Sequence, residues 1–252
     1  MNDKLTTAAA CWAFGCIALA IAGVIWFLRS RLGVRLRADH IHALVVAGNG
    51  VGLLLVAILI VSCQPANAWQ PPAESSRYQR ELTRIVQQEW GLPAPVAIHA
   101  AQIQQESGWR ADAESPVGAE GLSQFMPSTS DWIAEIYPDL GAAAPYSPAW
   151  AMRAQARYNR WHWQRIDAAD TCSHWALTLS AYNGGLGWVY RDQRLARAAD
   201  DDPSVWFGHV ERYTNRADWA RTENRDYVDR ILLQYTPRYA AAGWQGGSPC
   251  YL

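Results

Sequence analysis

The pattern of apolar positions along the 252 residues changes at about residue 68. Before that point apolar residues run almost without interruption. Leu5 to Leu28 carries no charge over 24 residues, and Ala43 to Cys63 is uncharged over 21, with Asn49 its one strongly polar member. Each run is long enough to cross a bilayer as a helix, which takes about 20 apolar residues. Beyond residue 68 the apolar positions recur at helical spacing instead. Leu82, Ile85, Val86 and Trp90 predict a helix over Tyr78 to Trp90. Gly91, Pro93 and Pro95 break it, and Pro95 is placed to open a second helix from Val96 to about Ser107. Ser128 starts a third that presents Trp132, Ile133, Ile136 and Tyr137; Ser147-Pro148 starts a fourth with Ala151, Ala154, Tyr158 and Trp161 on one face. Further helical segments are expected at about 173–182, 185–197 and 223–236. No stretch alternates as a strand does, and no internal repeat is visible. The expectation is a mainly α domain preceded by two transmembrane helices.

Charge orients the two spans. Between them Arg29, Arg31, Arg35 and Arg37 face Asp39 alone, and positively charged loops stay on the cytoplasmic side. Residues 1–68 are therefore expected to be a membrane anchor with a cytoplasmic loop at 29–42. Residues 69–78, with Pro71 and Pro72, read as a linker, and 79–252 as the functional domain. In a Gram-negative bacterium this puts the anchor in the inner membrane and the domain in the periplasm. The second span, with its basic flank and Ala66-Asn67-Ala68 after it, also has the three regions of an export signal, so cleavage after Ala68 is the rival to retention. Ile60 to Cys63 loosely matches a lipid-attachment box, and Gly48 and Gly52 form a small-residue pair that suits packing of the spans.

Composition narrows the partners. After residue 68 there are 17 Arg, no Lys and 21 acidic residues, a balance of −4 without basic bias, which argues against nucleic acid. Twelve of the 14 Trp fall in this part. Core packing accounts for most of them, and an excess of indoles also suits a surface that stacks on the apolar faces of sugars. Of five cysteines only Cys172 and Cys250 belong to the domain. They either form one disulfide after export or remain two buried thiols. No Cys/His cluster has metal-ligand spacing, and no metal or cofactor is expected.

The candidate chemistry centres on Glu106, at the end of the second helix behind Ala97, Ile98, Ala101 and Ile103. A carboxyl beside such a core is desolvated, which raises its pKa and keeps it protonated near neutrality, as a proton donor to a glycosidic oxygen must be. Taken alone, Glu106 is as readily an exposed helix-end glutamate. Its companions decide. Glu106-Ser107, the run SPVGAEGLSQFMP from Ser115 to Pro127, AYNGG from Ala181 to Gly185, and ENRDYV from Glu223 to Val228 occur in one order over roughly residues 79–236. Together they resemble the catalytic domain of soluble-type lytic transglycosylases, peptidoglycan-cleaving enzymes with a lysozyme-like helical fold.

The resemblance assigns expected roles. Glu106 matches the single catalytic acid/base and Ser107 the hydroxyl that helps hold it. Gln124 falls on a groove-lining position. Tyr182 and Asn183 match residues that contact sugar and its N-acetyl group, and Tyr227 a tyrosine whose hydroxyl approaches the acid. The implied reaction cleaves the MurNAc–GlcNAc β-1,4 bond of peptidoglycan and closes a 1,6-anhydro ring without consuming water. Ser123 stands where many members have Met, which bears on a sugar contact, and Gly184 where many have Ala. Gly118 and Gly121 either let backbone approach the sugar or shape the turn. Among Asp112, Glu114, Glu120 and Asp131, one facing Glu106 would instead permit inverting hydrolysis, as in a goose-type muramidase. Wall remodelling, a secretion or conjugation machine, and phage lysis all use this chemistry, so components of those systems are the expected partners besides glycan strands and the membrane.

Overall fold

The computed structural model describes residues 69–250, which form one compact unit. Both expected spans, the loop at 29–42 and the cleavage site lie outside the described residues. No helix among the described residues is long and apolar enough to cross a membrane.

The fold is built around a helix whose first eight residues are all buried. It is preceded by α1 (Ala73–Trp90) and is itself α2 (Val96–Ser107). Every residue of α2 from Val96 to Ile103 is buried, the polar His99 and Gln102 included. Such a helix runs through the interior, and the small side chains of Ala97, Ala100 and Ala101 let neighbours pack closely on it. After a long loop come α3 (Pro127–Ile136), α4 (Pro148–Trp163), α5 (Thr171–Gly184) and α6 (Leu186–Ala198). They are followed by α7 (Asp218–Asp229), a π-helical segment (Arg230–Tyr235) and α8 (Thr236–Ala241). The π segment and α8 pack on α2; α4 bridges α1 and α5; α5 packs on α6 and α7. Isolated bridges join Glu120 to Glu114 and to Phe125 in the loop after α2, and the architecture is otherwise helical among the described residues.

Three boundaries differ from the apolar pattern, each for a local reason. The first helix begins at Ala73, within the stretch read as linker. Pro72 (φ −52°) precedes it, and the Ser75 hydroxyl donates to the Pro72 carbonyl at 2.7 Å. This first turn is mostly polar and hides from an apolar count. The third helix starts at Pro127 rather than on a Ser128 cap. The last helix, expected as one piece over 223–236, is broken at Arg230. Pro237 has no N–H to give to the preceding turn, and the Thr236 hydroxyl instead donates to the Ile231 carbonyl five residues back, at 2.7 Å.

Five of the twelve tryptophans among the described residues are buried, and Trp69, Trp90, Trp132 and Trp163 pack against the core. Trp90 packs on Trp175 and Trp163 at 4.9 and 5.6 Å between ring centroids, and Trp109 donates its indole N–H to the Tyr239 hydroxyl at 2.6 Å. Asp192, fully buried, joins α6 to α7 through the Arg225 guanidinium at 3.0 Å, with Arg216 at 3.6 Å. Both ion pairs use the same oxygen, Oδ2, and Asp192 Oδ1 has no hydrogen-bond partner among the described residues, so the pairing alone offsets the burial of this charge. Cys172 and Cys250 form a disulfide. The tail that leads to Cys250 also docks on α2: the Ala97 N–H, one of the unpaired donors of a helix N-terminus, reaches the Gln245 carbonyl at 2.8 Å.

Candidate active site

α2 ends on Glu106 and Ser107 because Gly108 adopts the left-handed conformation (φ 60°) and its N–H closes on the Gln104 carbonyl. The chain leaves the helix there, so the Glu106 side chain stands at the edge of the core. It opens on a cavity of about 270 Å³ that Asn183, Glu223, Asp226, Tyr227 and Arg230 also line. Burial is the main cause that pushes the Glu106 pKa from its ordinary 4.5 up to about 8. The nearby negative charge of Glu223 pushes the same way. The Tyr227 hydroxyl opposes both by donating to Glu106 Oε1 at 2.5 Å. Near neutral pH this carboxyl therefore carries a proton.

The other expected site residues come to the same place by different routes. Asn183 lines the cavity, and its Oδ1 accepts from Asn224 Nδ2 at 2.8 Å, which turns its own NH₂ away from that partner. Asn224 is buried and is fixed in turn by the Ser180 hydroxyl at 2.8 Å. Tyr182 donates to the Ser123 carbonyl at 2.9 Å and packs on Phe125 and Tyr158. Its phenol is pushed up first by burial and then by the charge of Glu106, so it lies within electrostatic reach of the acid.

Ser107 and Gln124 act differently from expectation. The Ser107 hydroxyl donates to the Leu122 carbonyl at 2.8 Å, so what it holds is the returning loop rather than the carboxyl. Gln124 adopts a positive φ of 46° and folds its amide back to the Gly121 and Ala113 carbonyls at 3.0 and 3.2 Å. It shapes the loop and does not line the cavity beside Glu106. Ser123 does not bear on a sugar contact either: it is fully buried, and its hydroxyl donates to the Ala151 carbonyl at 3.2 Å. At Gly184 a Cβ would sit 2.1 Å from an Arg216 guanidinium nitrogen. The missing methyl is the space this arginine uses to reach Asp192.

Gly121 is required by the turn. Its φ is +70°, and a Cβ there would lie 1.9 Å from the Pro145 carbonyl oxygen. Substituting Gly121→Ala is expected to destabilise the domain by about 2–3 kcal/mol, through strain and displaced backbone. A thermal melt would show it, and a Gly118→Ala control, with a similar φ of +83° but open space around the Cβ, should lose less.

None of the four carboxylates weighed as a second acid lines the cavity with Glu106. Asp112, Glu114 and Asp131 are exposed, and Glu120 is tied into the loop by its bridges. The carboxylates that do line it, Glu223 and Asp226, come from α7 and were missed. The signal was present in the spacing, since residues 223, 226, 227 and 230 recur at i, i+3, i+4 and i+7 and share one helical face.

Residues 81–205 match the family model described as the transglycosylase SLT domain. The chain is 28% identical over 159 residues to membrane-bound lytic murein transglycosylase F of Vibrio campbellii, covering 58% of this chain and 27% of that protein. It is 31% identical over 134 residues to the protein of the same name from Marinobacter nauticus, covering 52% and 24%. The fold is similar to the crystal structure of the 70 kDa soluble lytic transglycosylase of Escherichia coli, with a TM-score of 0.50 and 24% identity over 68% of this chain and 25% of that one. The chain thus spans about a quarter of the length of these relatives. Residues 81–205 are therefore similar to the transglycosylase SLT domain, on a mainly helical fold like that of the soluble lytic transglycosylase.

Proposed function

We propose that the domain cleaves the β-1,4 bond between MurNAc and GlcNAc in peptidoglycan and leaves a 1,6-anhydro end. The observation that carries this reading is a single carboxyl, Glu106, held protonated near neutral pH at the wall of a cavity, with Asn183 beside it. Glu106 gives its proton to the leaving glycosidic oxygen as that bond breaks. The positive charge that develops at the anomeric carbon is met by the N-acetyl carbonyl of the substrate itself. The carboxylate left on Glu106 then takes the proton of the substrate's C6 hydroxyl. Its oxygen attacks the anomeric carbon and closes the anhydro ring, and Glu106 returns to its starting state. The Asn183 NH₂ is the donor suited to the N-acetyl oxygen.

Glu223 is the observation behind a second reading. A carboxylate close enough to raise the Glu106 pKa offers a base for a water, and hence hydrolysis. Mass spectrometry of digested cell-wall sacculi separates the two: anhydro ends support the proposal, and reducing ends in their place would replace it with a muramidase. Two relatives named as membrane-bound and the apolar runs before residue 68 support an inner-membrane anchor with this domain in the periplasm. Fractionation and N-terminal sequencing of the exported protein test retention against cleavage after Ala68.

The acid's pKa sets the pH dependence. Activity is expected to hold to about pH 7.5 and to fall as Glu106 ionises through about 8. A pH–rate profile on cell-wall suspensions checks this. Because the folded pKa lies above the ordinary value, the contribution of Glu106 to stability is complete below about 4.5 and is lost as pH rises to about 8.

A further inference from the structure

One turn before Glu106 on α2 stands Gln102, which is fully buried. Its Nε2 donates to the Tyr227 hydroxyl at 3.0 Å. Its Oε1 accepts from Asn159 Nδ2 of α4 at 2.6 Å, and Asn159 is also fully buried. Tyr227 donates to Glu106 Oε1. Three helices thus contribute to one directed chain of hydrogen bonds, from Asn159 through Gln102 and Tyr227 to Glu106.

The direction follows from the donor inventory. An amide NH₂ can only donate, so Gln102 Nε2 obliges the Tyr227 oxygen to accept. The one hydroxyl hydrogen of Tyr227 is then committed to Glu106 Oε1. The carbonyl oxygen is the stronger acceptor of a neutral carboxyl, so acceptance at Oε1 favours the acid's proton on Oε2. Asn159 prevents reversal: its NH₂ meets Gln102 Oε1, and a flipped Gln102 amide would set NH₂ against NH₂. The second Asn159 hydrogen has His99 Nδ1 at 3.4 Å, and burial lowers the His99 pKa to about 3, so that ring is neutral and leaves a nitrogen able to accept. Asn159 Oδ1 remains without a partner among the described residues, a buried cost. The network keeps that cost and with it the orientation of its NH₂.

We infer that Gln102 and Asn159 are positioning residues that decide which oxygen of Glu106 carries the proton, acting through the Tyr227 hydroxyl. The inference rests on the reading of Glu106 as the acid, and it adds two residues that touch no substrate. Without Gln102 the Tyr227 oxygen is free to accept from a protonated Glu106. The neutral acid gains a partner there, its proton is drawn to Oε1, and its pKa rises.

The test is direct titration of Glu106 in the full-length chain in detergent, with glutamate carboxyls labelled with ¹³C and the Glu106 signal assigned by its loss in Glu106→Gln. The groups facing Glu106 are Glu223, Asp226 and Tyr227 of α7, Arg230 of the π segment and Tyr182 of α5. None is altered by Gln102→Met, which keeps side-chain length and removes the donor. The Glu106 midpoint is expected to rise by about half a unit to one unit in Gln102→Met, a several-fold change in proton affinity. Asn159→Leu, one link further from the acid, should move it the same way by less and serves if Gln102→Met does not fold. In activity, kcat should fall about tenfold with KM unchanged, and the alkaline limb should move with the midpoint. Gln102→Glu should recover kcat at low pH, where a protonated carboxyl can again donate to Tyr227. A midpoint unchanged in both Gln102→Met and Asn159→Leu overturns the inference, even if activity drops through looser packing. Because the titration needs no substrate, it remains decisive even if the wild type forms no anhydro ends, an outcome that would refute the proposed reaction alone.

Discussion

Glu106→Gln is expected to lower the rate of glycan cleavage by roughly 10³- to 10⁴-fold, the upper range for loss of general acid–base catalysis. The loss should be that large because the proposed cycle uses one carboxyl twice, first as acid and then as base, and no other group on the cavity wall is placed to take over both steps. The substitution preserves shape. The Gln oxygen can still accept from the Tyr227 hydroxyl, and the new NH₂ replaces the carboxylic O–H as the group facing the cavity. The fold should therefore be kept, and at high pH improved. Wild type must hold an ionised carboxyl in a desolvated place once pH exceeds about 8, whereas the variant is neutral throughout. Turbidity clearing of a cell-wall suspension and thermal melts at pH 6 and pH 9 check both parts. Undiminished clearing by the variant would end the assignment of Glu106.

Removing the Cys172–Cys250 disulfide is expected to cost roughly 4 kcal/mol, since it closes a long loop, with a sequence separation of 78, in the unfolded chain. For a domain of this size that corresponds to a fall in Tm on the order of 10 °C. The loss should appear both in Cys172→Ser with Cys250→Ser and in wild type melted with reductant. Reductant should leave the Tm of the double variant unchanged, which separates the bond from side effects of the reagent. The bond also bears on location, because disulfides persist in oxidising compartments such as the periplasm.

Much of this fold could be read from apolar spacing. Val96 to Ser107 was legible as a helix because Pro95 is placed to open it. What the spacing could not show is that every residue from Val96 to Ile103 is buried, polar ones included. Glu106 was singled out through motifs, and its environment was then partly misjudged. Ser107, Ser123 and Gln124 are polar residues in a polar stretch, and nothing local tells whether such a side chain turns to a ligand or to backbone. All three turn to backbone carbonyls. Glu223 and Asp226 were passed over for carboxylates nearer in sequence, although packing of α5 on α7 brings them to the cavity from more than 100 positions away. Gln102 carried no signal in the sequence, and only the positions of Tyr227 and Asn159 give it a purpose.

The tail beyond α8 meets the opening turns of two helices at once. Its Gln245 carbonyl takes the Ala97 N–H at the start of α2, and its Cys250 is bound to Cys172 at the start of α5. Glu106 sits at the opposite end of the first helix, and Tyr182 and Asn183 at the opposite end of the second. A fluorophore attached at Ser248 would ride behind both and report whether they spread when a glycan strand enters, without itself standing in the strand's way.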